Sequence, residues 1–147
     1  MKIGITYNLK PETPPDPPGD ASEEFDRPET IEAIAAILKK NGHHPVKLGW
    51  GLEAIDRIRS ERPEFIFNLA EGFHGRNRES IMPALCELFR IPYTGSDPLT
   101  LALTLDKSQA KIIVRHAGVR TPDFILPGAG GNQTKLPPFP LFVKPLS

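Results

Sequence analysis

Cysteine is almost missing from this chain. Cys86 stands alone among 147 residues, so no internal disulfide can form and nothing calls for an oxidising compartment. It lies among Ala84, Leu85 and Leu88 on a predicted helix and reads as core packing, the usual fate of a free thiol. Net charge is missing too. Eighteen Lys and Arg balance eighteen Asp and Glu, which argues against nucleic acid or an acidic membrane as a bulk partner. There is no long apolar run: Lys2 is followed only by Ile-Gly-Ile, so neither a signal peptide nor a transmembrane span is expected, and cytoplasm is the default location. The pair His43-His44 has no cysteine or carboxylate cluster beside it and is rejected as a metal site. No Gly-x-Gly-x-x-Gly follows the first predicted strand, which disfavours a generic dinucleotide-binding domain.

What is present is a chain long enough for one domain, or for one domain and a piece of the next. A domain of this size buries roughly 70% of its unfolded surface, enough for an ordinary core. The zero net charge hides an asymmetry. Residues 1–106 hold 12 Lys and Arg against 17 Asp and Glu, whereas residues 107–147 hold 6 against the single Asp123. A basic last third suits a phosphate-bearing ligand, although a chance split over a short segment explains the charge equally well.

Periodicity gives the organisation. Lys2–Tyr7 reads as a buried strand. Residues 10–26 follow, with five prolines between Pro11 and Pro18, and cannot be regular structure. They occupy the place where α/β proteins put ligand loops, or form a surface excursion. Asp26, Pro28 and Glu29 have the order of a helix start, with Asp26 as cap. Ile31, Ile34, Ala35 and Leu38 repeat at helical spacing up to Gly42. Residues 45–50 predict a second strand, Leu52, Ile55 and Ile58 a second helix ending before Pro63, and 65–69 a wholly apolar third strand. A third helix over 77–89 and a short strand at 93–95 complete a parallel α/β sheet with helical crossovers. After Ser96 the pattern changes. Asp97-Pro98 starts one helix, Asp106 caps another over 107–117, and residues 122–126 and 139–145 read as strands around a flexible Gly128–Asn132 loop. The last strand, Leu141-Phe142-Val143-Lys144, needs neighbours to pair with. The expectation is that the chain is the front part of a larger protein.

Three places carry candidate chemistry. Lys107 lies in the first turn of its helix, where the macrodipole disfavours a cation by about 0.3–1 kcal/mol. A bound anion on the ammonium and the helix-start N–H groups would remove that conflict, as would plain solvation beside Asp106 and Asp97. Lys144 shares the face of Phe142 on an apolar strand, so it either snorkels to the rim or holds an anion. The segment Glu71-Gly72-Phe73-His74-Gly75-Arg76-Asn77-Arg78-Glu79-Ser80 follows the third strand. Its Glu71, His74, Arg76, Arg78 and Glu79 could orient an amino-acid-like substrate, or form a polar turn with Asn77 capping a helix.

Several segments then fit one family together. Ile91-Pro-Tyr-Thr-Gly-Ser96, Leu99-Thr-Leu-Ala102, Leu105-Asp-Lys107, Ala117-Gly-Val-Arg-Thr-Pro122 and Phe142-Val-Lys-Pro145 resemble, in order and spacing, the D-alanine–D-alanine ligase group of ATP-grasp enzymes. The resemblance covers most of residues 65–147. It implies a Rossmann-like pre-ATP-grasp domain with a parallel sheet over 1–96, followed by the beginning of an ATP-grasp central subdomain over 97–147. It also implies ATP and Mg²⁺ as cofactors and small amino-acid-like substrates joined through an acyl-phosphate; a homodimer is compatible with it. Lys107 and Lys144 match the family's two ATP-phosphate lysines. Glu71-Gly72, or less directly His74-Gly75, corresponds to its His-Gly substrate loop. A glutamate after the first strand binds the first substrate in the family, which points here to Glu23 or Glu24. The proline-rich loop replaces the usual glycine-rich one, so D-alanine itself is not implied. The family's glycine-rich loop, metal ligands and catalytic arginine have no counterpart up to Ser147, so no metal ligand is expected within this chain.

Two readings follow. In the first, the chain is the N-terminal part of an ATP-dependent carboxylate–amine ligase and is inactive alone. In the second, it is a non-catalytic α/β binding or regulatory module that keeps the scaffold.

Overall fold

The computed structural model describes residues 1–11, 23–126 and 138–146. Strand β1 (Lys2–Thr6) lies between β2 (His44–Gly49) and β3 (Phe65–Asn68), both parallel to it. Ile3 sits opposite Pro45 on one side and Phe65 on the other. The parallel pairings require crossovers, and helices α1 (Pro28–Lys40) and α2 (Gly51–Glu61) supply them. The α/β class expected from the alternation of periods is the fold observed.

Both faces of the sheet are covered, and apolar side chains on each face meet the helices. Ile5 packs with Ile31 and Ala35, one helical turn apart on α1. On the opposite face Leu48 and Ile66 meet Ala54 and Ile58 of α2 and Met82 and Cys86 of α3 (Ile81–Phe89). Gly4 makes this packing feasible: a Cβ there would lie 2.3 Å from Leu48 Cδ1. Cys86 is fully buried, as the sequence suggests, and burial pushes its thiol up to about 11, far from the reactive range.

Several local expectations are corrected. Helix α1 starts at Pro28 with Arg27 at the cap position, not Asp26. The backbone of Asp26 is engaged elsewhere: its N–H donates to Asn8 and its carbonyl accepts from Lys10, both at 2.9 Å. This pairing ties together the two ends of the proline-rich segment, whose residues 12–22 lie outside the described region. The helix expected over 77–89 is a 3₁₀ turn (Arg78–Ser80) leading into α3. Pro83 explains the break, because its ring excludes α-helical continuity with the carbonyl of Glu79. Residues 93–95 contribute a single parallel bridge, Ile66 to Tyr93, rather than a full strand.

Past Ser96, helices α4 (Pro98–Leu105) and α5 (Lys107–His116) form as expected. Asp97 caps the first by accepting from Thr100 N, and Asp106 caps the second by accepting from Ser108 N and Gln109 N. Residues 122–126 and 139–145 are irregular rather than extended in a sheet, because no strand among the described residues pairs with them. Gly128–Asn132 lies outside the described residues. No described helix is long and apolar enough to cross a membrane.

Candidate functional site

Parallel sheets collect their ligand loops at the C-terminal ends of the strands. There the residues following β3 fold back over the end of β1. Asn8, only 2% exposed, lies just past β1. Its Oδ1 accepts from the N–H groups of Glu71 at 2.9 Å and Gly72 at 2.8 Å. Gly72 has φ +76°, and a Cβ on it would lie 2.7 Å from the carbonyl oxygen of Arg78. Only glycine lets the loop close on itself at this point. Phe73 anchors the outer side, edge-on to Phe25 at 4.8 Å and to Trp50 at 5.3 Å between ring centres.

The closed loop brings three carboxylates together. Ligand oxygens of Glu24, Glu71 and Glu79 lie within 4.8 Å of one another. Together with Asp26, Asn68 and Leu101 they line a cavity of about 290 Å³. The Arg78 guanidinium is mostly buried and bridges Glu24 and, at 3.8 Å, Glu79. One guanidinium among four carboxylates, Asp26 included, leaves the cavity acidic. Burial, then the charges of Glu79 and Glu24, push Glu71 up to about 7. Burial is also the main cause of the upward shifts of Glu79 and Asp26. Such a cavity suits an ammonium group, whose charge would draw Glu71 into its ionised form.

The proposed substrate residues are thus placed differently from one another. Glu24, Glu71, Gly72, Arg78 and Glu79 converge. Glu23 is directed away and pairs with Lys10 at 3.1 Å. His74 is exposed and lies tilted against Phe73, with ring centres 6.2 Å apart. Arg76 leaves the cavity altogether and pairs with Asp106 at 2.7 Å. That contact connects the loop to the start of α5, and the Lys107 charge there favours ionised Glu79. Hydrogen bonds from the Ser108 hydroxyl and the Gln109 N–H hold the Asp106 carboxyl down at about 2.

Lys107 is half-buried, and its position corrects one expectation. The helix-start N–H groups do not stand ready for an anion. Lys107 N–H donates to the carbonyl of Leu146 at 3.0 Å, while Ser108 and Gln109 donate to Asp106. The positive helix end is already neutralised by this carboxylate, so only the ammonium remains for a ligand. The Leu146 contact also brings the segment carrying Lys144 alongside α5. Lys144 is exposed, with Nζ 5.4 Å from the Phe142 ring centre. Lys107 and Lys144 thus lie on adjoining segments, joined through the Leu146 carbonyl. The fit to Mg²⁺ is poor: Glu24, Glu71 and Glu79 are the one suitably spaced acidic group among the described residues. Burial holds Glu71 and Glu79 toward the protonated form, which opposes coordination.

Asn8, which holds this loop, was not among the candidate residues read from the sequence. Its signal was slight: one amide side chain immediately past the first strand, ahead of a more conspicuous proline-rich loop.

No family model matches the chain. It is 35% identical over 122 residues to an uncharacterized protein of Sinorhizobium fredii, y4sG, covering 78% of this chain and 36% of that protein. It is 36% identical over 108 residues to a D-alanine–D-alanine ligase of Pelotomaculum thermopropionicum, covering 74% of this chain and 33% of the ligase. A crystal structure of D-alanine–D-alanine ligase from Bacillus anthracis complexed with ATP matches with a TM-score of 0.61 at 26% identity, covering 85% of this chain and 39% of that one. The chain spans about a third of the length of the curated relatives it matches.

Proposed function

The chain is a relative of the D-alanine–D-alanine ligases, an ATP-grasp family, and from that premise we propose that it forms the substrate-facing part of an ATP-dependent carboxylate–amine ligase. Its parent joins two amino acids through an acyl-phosphate. Residues 1–96 are the pre-ATP-grasp domain and residues from 97 onward begin the central subdomain. The observation that carries this reading is the Arg76–Asp106 pair, which holds the carboxylate-lined cavity and the start of α5 in one framework.

In this reading Glu24, Glu71 and Glu79 receive the ammonium of an amino-acid substrate, with Arg78 limiting their mutual repulsion. Lys107 and Lys144 hold the nucleotide phosphates through their side chains, since the N–H groups at the start of α5 are already occupied. ATP, when bound, supplies the phosphoryl group that activates a carboxylate. This chain's own residues bind, orient and balance charge. It corresponds to about a third of the length of its relatives. In this reading the 147 residues by themselves carry no ligase activity, since the one suitably spaced acidic group among the described residues fits Mg²⁺ poorly.

Nucleotide binding tests the lysine roles. In the protein carrying this chain in full, Lys107→Ala and Lys144→Ala should each weaken ATP binding roughly tenfold or more, the effect of losing a charge-assisted contact. Unchanged affinity in both variants, measured by calorimetry, would remove them as phosphate ligands.

A further inference from the structure

The loop leaving β3 is held by an unbroken series of hydrogen bonds. Asn68 N–H donates to Thr94 Oγ1 at 2.9 Å, Leu69 N–H to the Thr6 carbonyl at 2.9 Å, and Ala70 N–H to Asn68 Oδ1 at 3.3 Å. Thr6 Oγ1 in turn donates to Asn68 Oδ1 at 2.7 Å and orients that amide. The next two N–H groups, of Glu71 and Gly72, both go to Asn8 Oδ1. Five consecutive amides thus have partners, and the series stops there. Among the described residues the amides of Phe73 and His74 have none. Asn8 is therefore the last anchor of the loop along the cavity wall.

We propose that Asn8 is a positioning residue for the candidate site: by accepting from two successive amides, it sets the backbone direction that carries the Glu71 carboxylate toward Glu24 and Glu79. The geometry demands an acceptor with two available lone pairs at a buried point, which the amide oxygen provides. The Asn8 Nδ2 has no acceptor among the described residues, so the side chain is held there through its oxygen alone. An aspartate could make the same two contacts, but would add one more carboxylate to the loop that already gathers Glu24, Asp26, Glu71 and Glu79. The amide holds the turn without adding to that repulsion. The role of Glu71 rests on the ligase reading. The positioning is tested by loop geometry rather than turnover, so failure of one is distinguishable from failure of the other.

The test uses amide hydrogen exchange and carboxyl-carbon NMR on this chain. In the unsubstituted protein, the Glu71 and Gly72 amides should exchange about 100-fold more slowly than those of Phe73 and His74. Asn8→Leu should erase that difference and move the Glu71 titration from near 7 toward the ordinary 4.5, as the carboxyl leaves its buried place near Glu24, Glu79, Asp26 and Arg78. Asn8→Asp should restore both protections and keep Glu71 at or above its original midpoint. Equal exchange of all four amides in the unsubstituted chain would overturn the proposal, whether or not Asn8→Leu folds. So would a folded Asn8→Leu protein with Glu71 still titrating near 7, or an Asn8→Asp protein with neither amide protected.

Discussion

Residues 1–96 and residues 97–146 are built in opposite ways. The first region places a parallel sheet between helices and removes Ile5, Leu48 and Ile66 entirely from solvent. In the second, Leu99, Ile112, Ile113 and Val114 remain exposed on α4 and α5, and among the described residues burial is confined to the Leu105–Asp106 and Ser108 junction. The first region holds its shape by apolar packing. The second is joined to it largely by polar links and short contacts: Arg76 with Asp106, and α4 against the 3₁₀ turn. The well-packed region keeps its carboxylates close together against their repulsion, and the acids shifted upward, Glu71, Glu79 and Asp26, are found there. Lys107 and Lys144, the proposed phosphate ligands, stand in the sparsely packed region.

The largest expected effect compares two isoleucines. Ile5→Ala should lower unfolding stability by about 2–5 kcal/mol in a urea titration, as expected for a fully buried side chain. Ile113→Ala, at an exposed position, should stay within about 0.5 kcal/mol. Equal losses would mean that the second region is as well packed as the first.

A smaller effect tests the acidic cavity. Glu71 binds its proton more tightly folded than unfolded, so between its ordinary 4.5 and about 7 the folded state carries more protons. Stability should therefore fall as pH rises across that window, and the effect should be complete above 7. Glu71→Gln should flatten this part of the stability–pH curve and make the protein more resistant to urea at pH 8 than the unsubstituted chain. A Glu71→Gln curve that runs parallel to the original would show that the carboxylate is not held in a charged cavity.

The two regions also differed in how far they could be read from the sequence. The strands and helices of the first follow from local periodicity, and the carboxylate loop from its place after β3. The choice between Glu23 and Glu24 was illegible, because neighbouring residues in an irregular segment have no period to separate them. Asn8 was missed because its role depends on two amides more than sixty residues away. The helix start at Lys107 was read correctly as a place of conflict. The Asp106 cap was legible there too, whereas the Leu146 carbonyl that takes the Lys107 N–H is a contact that local sequence does not encode. The expected strands at 122–126 and 139–145 have strand composition but lack described partners, and composition alone does not make a ladder.

The most direct test of the division proposed here is ATP-dependent phosphate release in the presence of a panel of amino acids. It should be measured with the 147-residue chain and with the protein carrying it in full. The account predicts amino-acid-stimulated release from the full protein and none from the chain alone. Phosphate release by the chain alone, at a rate comparable to the full protein, would contradict it.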